Sequence, residues 1–93
     1  MSYELEFEEH ALKEFKNWAR RYGSSSKEVK EILVNPHIPA NRLSGMPDCY
    51  KIKLRSAGYR LVYQAIDEEV IVLVLAVGKR ERSEVYNAAK ARL

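Results

Sequence analysis

The apolar positions change their period several times along the chain, and each change marks an element. Tyr3, Leu5 and Phe7 alternate with Glu4 and Glu6, the two-residue period of a short edge strand. The step then lengthens to three and four. Ala11, Leu12, Phe15, Trp18, Ala19 and Tyr22 make one apolar stripe, which predicts a helix running to about Arg21. Glu8 and Glu9 open it, with negative charge near the positive end of its dipole. Gly23 suits a C-terminal cap, and Ser24-Ser25-Ser26 suit a turn that also offers N-caps. Val29, Ile32 and Leu33 line a second, short helix that stops before Asn35-Pro36. Residues 36–48 hold all three prolines with Asn41 and Gly45, and read as an irregular loop.

From Cys49 to Gln64 the period returns to two. Tyr50, Ile52 and Leu54 point one way, and Lys51, Lys53 and Arg55 the other. Ser56-Ala57-Gly58 supplies a turn, with Gly58 free to take positive φ. In the second arm Arg60 joins the cations, while Leu61 and Tyr63 fall on the apolar face. Asp67-Glu68-Glu69 form an acidic turn. Val70 to Val77 then run without a polar residue, the pattern of a central strand buried on both faces. The two helices can cover one of those faces; the sequence does not say what covers the other. Gly78 is expected to end the strand, with Lys79, Arg80, Glu81 and Arg82 beyond it. Ser83 is expected to cap a last short helix through Tyr86 to about Leu93.

Ninety-three residues suit one small domain with a thin core. No apolar run approaches a membrane span, and Met1 to Glu6 lack the features of a signal peptide. A lone Cys49 cannot form an internal disulfide, which points to a reducing cytoplasm. The net charge of +3 is unevenly placed. Residues 1–46 carry seven basic and seven acidic side chains; residues 47–93 carry nine and six. The excess therefore lies with the hairpin and suggests a polyanion partner, a solvated sheet face being the plainer alternative.

The candidate chemistry follows from that row. If Lys51, Lys53, Arg60 and Arg80 converge, their mutual repulsion is relieved by a phosphate, and RNA backbone is the expected anion. The same repulsion lowers a lysine pKa, whereas arginine stays charged. A lysine near neutrality can remove a proton, and arginines can stabilise the phosphorane of an in-line attack by a neighbouring 2′-hydroxyl. Such a reaction leaves a 2′,3′-cyclic phosphate and a 5′-hydroxyl. Tyr86 can orient the hydroxyl or stack on a base, or be a buried helix aromatic. Trp18 and Tyr22, at helical spacing, read as core rather than as a base-stacking platform. His10 and His37 stand alone, and His37 reads as a surface residue. No zinc spacing, Gly-rich phosphate loop or Ser/His/Asp arrangement is present.

The stretch from Asn41 through Gln64, including Gly45-Met46-Pro47-Asp48 and the whole hairpin, closely resembles the RelE toxins of bacterial toxin–antitoxin pairs. So does Val77-Gly78-Lys79-Arg80-Glu81-Arg82-Ser83-Glu84-Val85-Tyr86, and so do the first strand and Ala11-Leu12-Lys13-Glu14. The resemblance implies an α+β fold: a small antiparallel sheet of about four strands packed on an N-terminal helical hairpin, with a short C-terminal helix. It implies a metal-independent endoribonuclease that needs no cofactor and cuts the mRNA codon in the ribosomal A site. Its partners would be a RelB-like antitoxin, the 70S ribosome through 16S rRNA and mRNA, and operator DNA only through the antitoxin complex, with no membrane. By position the catalytic residues fall on Lys51, Lys53, Arg60, Arg80 and Tyr86, and further RNA contacts on Arg42, Arg55, Lys79 and Arg82. The lysines are linked to 2′-hydroxyl activation and charge stabilisation, Arg60 to the phosphate, Arg80 to the leaving group, and Tyr86 to the attacking hydroxyl. The match fails between about Lys16 and Lys27, and Ser44 replaces a basic residue usual in the family. Two alternatives keep the scaffold: a non-catalytic toxin-like co-repressor, and a gyrase-inhibiting ParE-like toxin.

Overall fold

The computed structural model describes residues 2–22, 26–54 and 58–93. The Gly23 cap, most of the serine turn, Arg55 and Ser56-Ala57 lie outside the described residues. The elements are β1 (Glu4–Phe7), α1 (Glu9–Tyr22), α2 (Ser26–Val34), β2 (Cys49–Lys53), β3 (Tyr59–Ile66), β4 (Ile71–Lys79) and α3 (Glu84–Ala91). The strands form one sheet in the order β1-β4-β3-β2. β2, β3 and β4 pair antiparallel as expected. β1 instead runs parallel to β4, so the sheet is mixed. The reason is the α1–α2 crossover: it returns the chain to the sheet only after both helices, and β4 lies alongside β1 in the same direction.

Glu8 opens α1 with its side chain. Its Oε1 accepts the backbone N–H groups of His10 and Ala11 at 2.6 and 3.0 Å. These are two of the donors that a helix start leaves unpaired. The bonds to His10 and to the two backbone groups hold the Glu8 carboxyl below the usual range, against the opposing pull of burial.

The sheet separates two cores. On the α1–α2 side Trp18 and Ile32 pack with Tyr50, Ile52, Leu61, Tyr63, Val72 and Val74. On the other side Met46, Cys49, Val62, Leu75 and Ala76 pack with Val85 and Ala89 of α3. Thus α3 is the cover that the sequence left unnamed, and β4 is buried on both faces as its apolar run predicts. Gly78 does not end β4, which continues to Lys79. A side chain at Gly78 would meet Val85 of α3 at 3.7 Å, so the position lies under the helix rather than in a turn. Ser83 does not cap α3 through its side chain; it and Arg82 both sit in the left-handed region, at φ 57° and 53°.

Val70 is also left-handed, at φ 56°, in the turn before β4. A β-branched residue is poorly suited to that region, whereas asparagine tolerates it. Val70→Asn is expected to raise stability by about 1 kcal/mol, read as an increase of a few degrees in the thermal midpoint.

His37 is a correction. Rather than a plain surface residue, it is half-buried and bonded at both ring nitrogens. Nδ1 lies 2.7 Å from the Tyr50 hydroxyl and Nε2 2.7 Å from Asp67 Oδ1. The Tyr3 hydroxyl donates to the same carboxylate oxygen at 2.7 Å. This chain links the start of β1, the proline loop, β2 and the β3–β4 turn. His37, and then Tyr3, hold the Asp67 carboxyl below its ordinary 3.8. A depressed carboxyl contributes stability that is present above 3.8 and lost as pH falls through the folded-state value. Acid unfolding followed by circular dichroism should therefore show less pH dependence in that window for Asp67→Asn than for the unmodified chain.

Candidate active site

The β2–β3 ladder sets the positions of the first three cations. Lys53 pairs with Arg60 and Lys51 with Val62, so all four side chains share the face that α3 partly covers. Tyr50, Ile52 and Leu61 occupy the other face and anchor the strands in the larger core. Alternation alone thus turns one buried apolar row into a rigid basic row. β4 adds the next group. Arg60 pairs with Gly78, and two residues later the Arg80 N–H donates to the Gly58 carbonyl at 3.0 Å. Arg80 therefore stands at the end of the ladder where Lys53 and Arg60 sit, and its side chain is exposed.

Tyr86 arrives from the opposite direction. It lies in the first turns of α3, next to buried Val85, and its ring packs against the smaller core. The Lys51 Nζ sits 5.7 Å from the ring centroid, a cation–π distance.

Arg60 is the one charged residue that is buried among the described residues, at 9 % exposure. Its Nη1 donates to its neighbour's carbonyl, Tyr59 O, at 3.0 Å. Among the described residues no carboxylate pairs with Lys51, Lys53, Arg60 or Arg80. A buried guanidinium normally requires an anion. Arg60 pairs across the sheet with Lys53 and Gly78, so its ladder neighbours offer it no carboxylate.

The remaining sequence candidates are placed differently. Lys79 pairs with Tyr59 on the α1 side of the sheet, its Nζ 6.0 Å from the Tyr59 ring centroid. It faces a cleft of about 610 Å³ lined by Asn17, Arg20 and Arg21 among others, on the opposite face from Lys51. Arg42 bridges Tyr50 at the outer edge of β2, also away from the basic row. Arg82 lies in the strained turn between β4 and α3, exposed and near Arg80 in the chain. Arg55 lies outside the described residues. Among the described residues no three of His, Cys, Asp and Glu gather as metal ligands. Cys49 is buried, donates to the Pro47 carbonyl at 3.3 Å, and has its pKa pushed up to about 11 by burial. It is a structural thiol.

A small mixed sheet with helices on both faces, and a row of cations along one of them, defines a compact α+β toxin scaffold. The family described as ParE toxin of type II toxin-antitoxin system, parDE, matches residues 5–84, and the chain belongs to it. Within that family it stands among the RelE toxins. It is 58 % identical over 98 residues to the mRNA interferase toxin RelE of Escherichia coli (strain K12), covering 100 % of this chain and 99 % of that one. The mRNA interferase RelE of Shigella flexneri matches to the same degree. A free-state structure of a mutant E. coli toxin RelE superposes with a TM-score of 0.84 at 55 % identity, covering 100 % of this chain and 99 % of that one. The toxin in the intact E. coli RelBE toxin–antitoxin complex matches with a TM-score of 0.74 at 54 % identity, over 87 % of this chain and 100 % of that one.

The sequence gives no sign of the Glu14–Arg92 and His37–Asp67 pairs. Glu14 and Arg92 lie 78 residues apart, and no period links them. The nearest signal was chemical: a glutamate close to the apolar stripe of α1.

Proposed function

We infer that this chain is an mRNA interferase: a toxin that cuts mRNA in the ribosomal A site and is neutralised by a RelB-like antitoxin. Near-full-length likeness to enzymes named for that activity supports the reading. The observation that carries it is Arg60, a buried guanidinium facing Lys53 and lacking a carboxylate among the described residues. Such a group is pre-set for an incoming phosphate, and an RNA linkage supplies one.

In the proposed reaction the 2′-oxygen attacks the adjacent phosphorus and the bond to the 5′-oxygen breaks. The products are a 2′,3′-cyclic phosphate and a 5′-hydroxyl. Tyr86 and Lys51, 5.7 Å apart, suit the attacking hydroxyl, taking or guiding its proton. Lys53 and Arg60 suit the non-bridging oxygens, where charge accumulates in the transition state. Arg80, exposed at the ladder's end, suits the 5′-oxygen that must receive a proton. Arg82 is placed to extend the phosphate track. Arg42 and Lys79, on the other face, suit rRNA rather than the scissile codon. Arg55 lies outside the described residues and enters this reading only as an RNA contact expected from the sequence.

The solved RelBE complex supports a RelB-like partner. Operator DNA would be met only through that complex. Residues 1–93 act as a single toxin domain in this reading. No helix among the described residues is long and apolar enough to cross a membrane. The proposed site of action is the cytoplasm, where ribosomes are.

The gyrase reading takes support from the family's ParE description. The non-catalytic co-repressor reading requires the basic row to be idle. Primer extension on programmed ribosomes separates all three. Codon-internal breaks that end in a cyclic phosphate support the interferase. Intact mRNA with gyrase inhibition supports the second reading; intact mRNA with antitoxin-dependent promoter binding alone supports the third. Binding to ribosomes should weaken steeply with salt.

A further inference from the structure

Pairing of β1 with β4 ends at Phe7 opposite Val74, and beyond that point the edge of β4 needs other partners. Two distant side chains supply them. The Val77 N–H donates to Glu14 Oε1 at 3.1 Å, and the Leu75 carbonyl accepts from Arg92 Nη1 at 3.0 Å. Glu14 and Arg92 are joined to each other by two hydrogen bonds of 2.7 and 3.1 Å. The Arg92 side chain is only 18 % exposed, and its Nε lies 3.9 Å from Glu8 Oε1. A sheltered, bidentate pair of this kind is the strong form of the interaction. It completes the edge of β4 where β1 leaves off.

Arg92 is also the C-cap residue of α3. That helix has eight residues and fully buries only Val85 and Ala89. Eight residues do not hold helical shape alone, and two small side chains give little grip. At its other end Arg82 and Ser83 adopt left-handed backbone, which persists only when the surroundings enforce it. The position of α3, and of the Tyr86 ring it carries, therefore depends on what fixes its C-terminal end.

We propose that the Glu14–Arg92 pair is a positioning latch for Tyr86. By fastening the end of α3 to β4 and α1, it keeps the Tyr86 ring against the Lys51 ammonium. Neither latch residue touches the reacting atoms. The consequence for rate rests on the reading of Tyr86 given above; the consequence for geometry does not.

Two variants test it. Arg92→Met keeps the stem and removes the charge. Glu14→Gln keeps an acceptor for the Val77 N–H and removes the ion pair. The direct readout is the nuclear magnetic resonance shift of the Lys51 ε-methylene protons, moved upfield by the Tyr86 ring. In both variants that shift should collapse toward an ordinary lysine value while the sheet amides keep their positions. On programmed ribosomes kcat should fall on the order of ten- to a hundredfold with KM unchanged. In a Tyr86→Ala background Arg92→Met should cause no further loss. A retained upfield shift overturns the latch, and so does a rate loss as large without Tyr86 as with it. A collapsed shift with undiminished cleavage upholds the latch and removes Tyr86 from the chemistry instead.

Discussion

Arg60→Ala is expected to lower mRNA cleavage on the order of a hundredfold or more while leaving the folded state at least as stable as before. The two halves of that expectation come from one fact. Arg60 is 9 % exposed, sits opposite Lys53, and has no carboxylate partner among the described residues. Burying such a charge costs folding energy, and its repulsion from Lys53 adds to the cost. Removing it relieves both. Among the described residues, the one bond lost is to the Tyr59 carbonyl. In the proposed transition state the balance would reverse, because the extra negative charge on phosphorus oxygens would meet a donor already oriented and partly desolvated. Arg60→Lys should recover only part of the rate, since lysine keeps the charge and loses the planar fork. Single-turnover cleavage on ribosomes, beside thermal unfolding of the free toxin, checks both halves. Cleavage within a few-fold of the unmodified rate would remove Arg60 from the phosphate site.

The largest loss of stability is expected from Tyr63→Ala, about 3–5 kcal/mol. Tyr63 has no exposed surface and is the largest fully buried side chain among the described residues. Its ring stacks on Tyr50 at 5.5 Å between centroids, and its hydroxyl donates to the Pro36 carbonyl at 2.6 Å. Burial also raises the pKa of that hydroxyl far above the ordinary tyrosine range, so it stays a donor. A small domain has roughly 5–15 kcal/mol in all, so the alanine variant should sit near its unfolding threshold. Tyr63→Phe isolates the hydroxyl and should cost about 1–2 kcal/mol, because the Pro36 carbonyl loses its partner. Urea denaturation resolves the two variants. Equal losses would mean that the hydrogen bond, not the ring, holds the proline loop.

The first strand, both helices and the hairpin were legible because each buries one side and repeats at its own period. The basic row was legible for the same reason: Tyr50, Ile52 and Leu54 must face the core, so Lys51 and Lys53 must not. That logic also separates Lys79 from Arg80, since Lys79 shares the face of Tyr59 and Val77. The parallel pairing of β1 was not legible, because strand direction depends on the crossover rather than on any local pattern. Nor was the role of α3, whose grip on the sheet is two small residues and an ion pair spanning most of the chain. Gly78 misled for a physical reason: a glycine under a crossing helix looks, letter by letter, like a glycine in a turn.

The sheet is also a partition. Asn17 to Tyr22, within the stretch of about Lys16 to Lys27 where the sequence is expected to depart from the RelE pattern, lies on the α1 side, and the basic row lies behind the strands. A substitution on the helical surface therefore leaves the basic row where it is, because the strands between them fix its position.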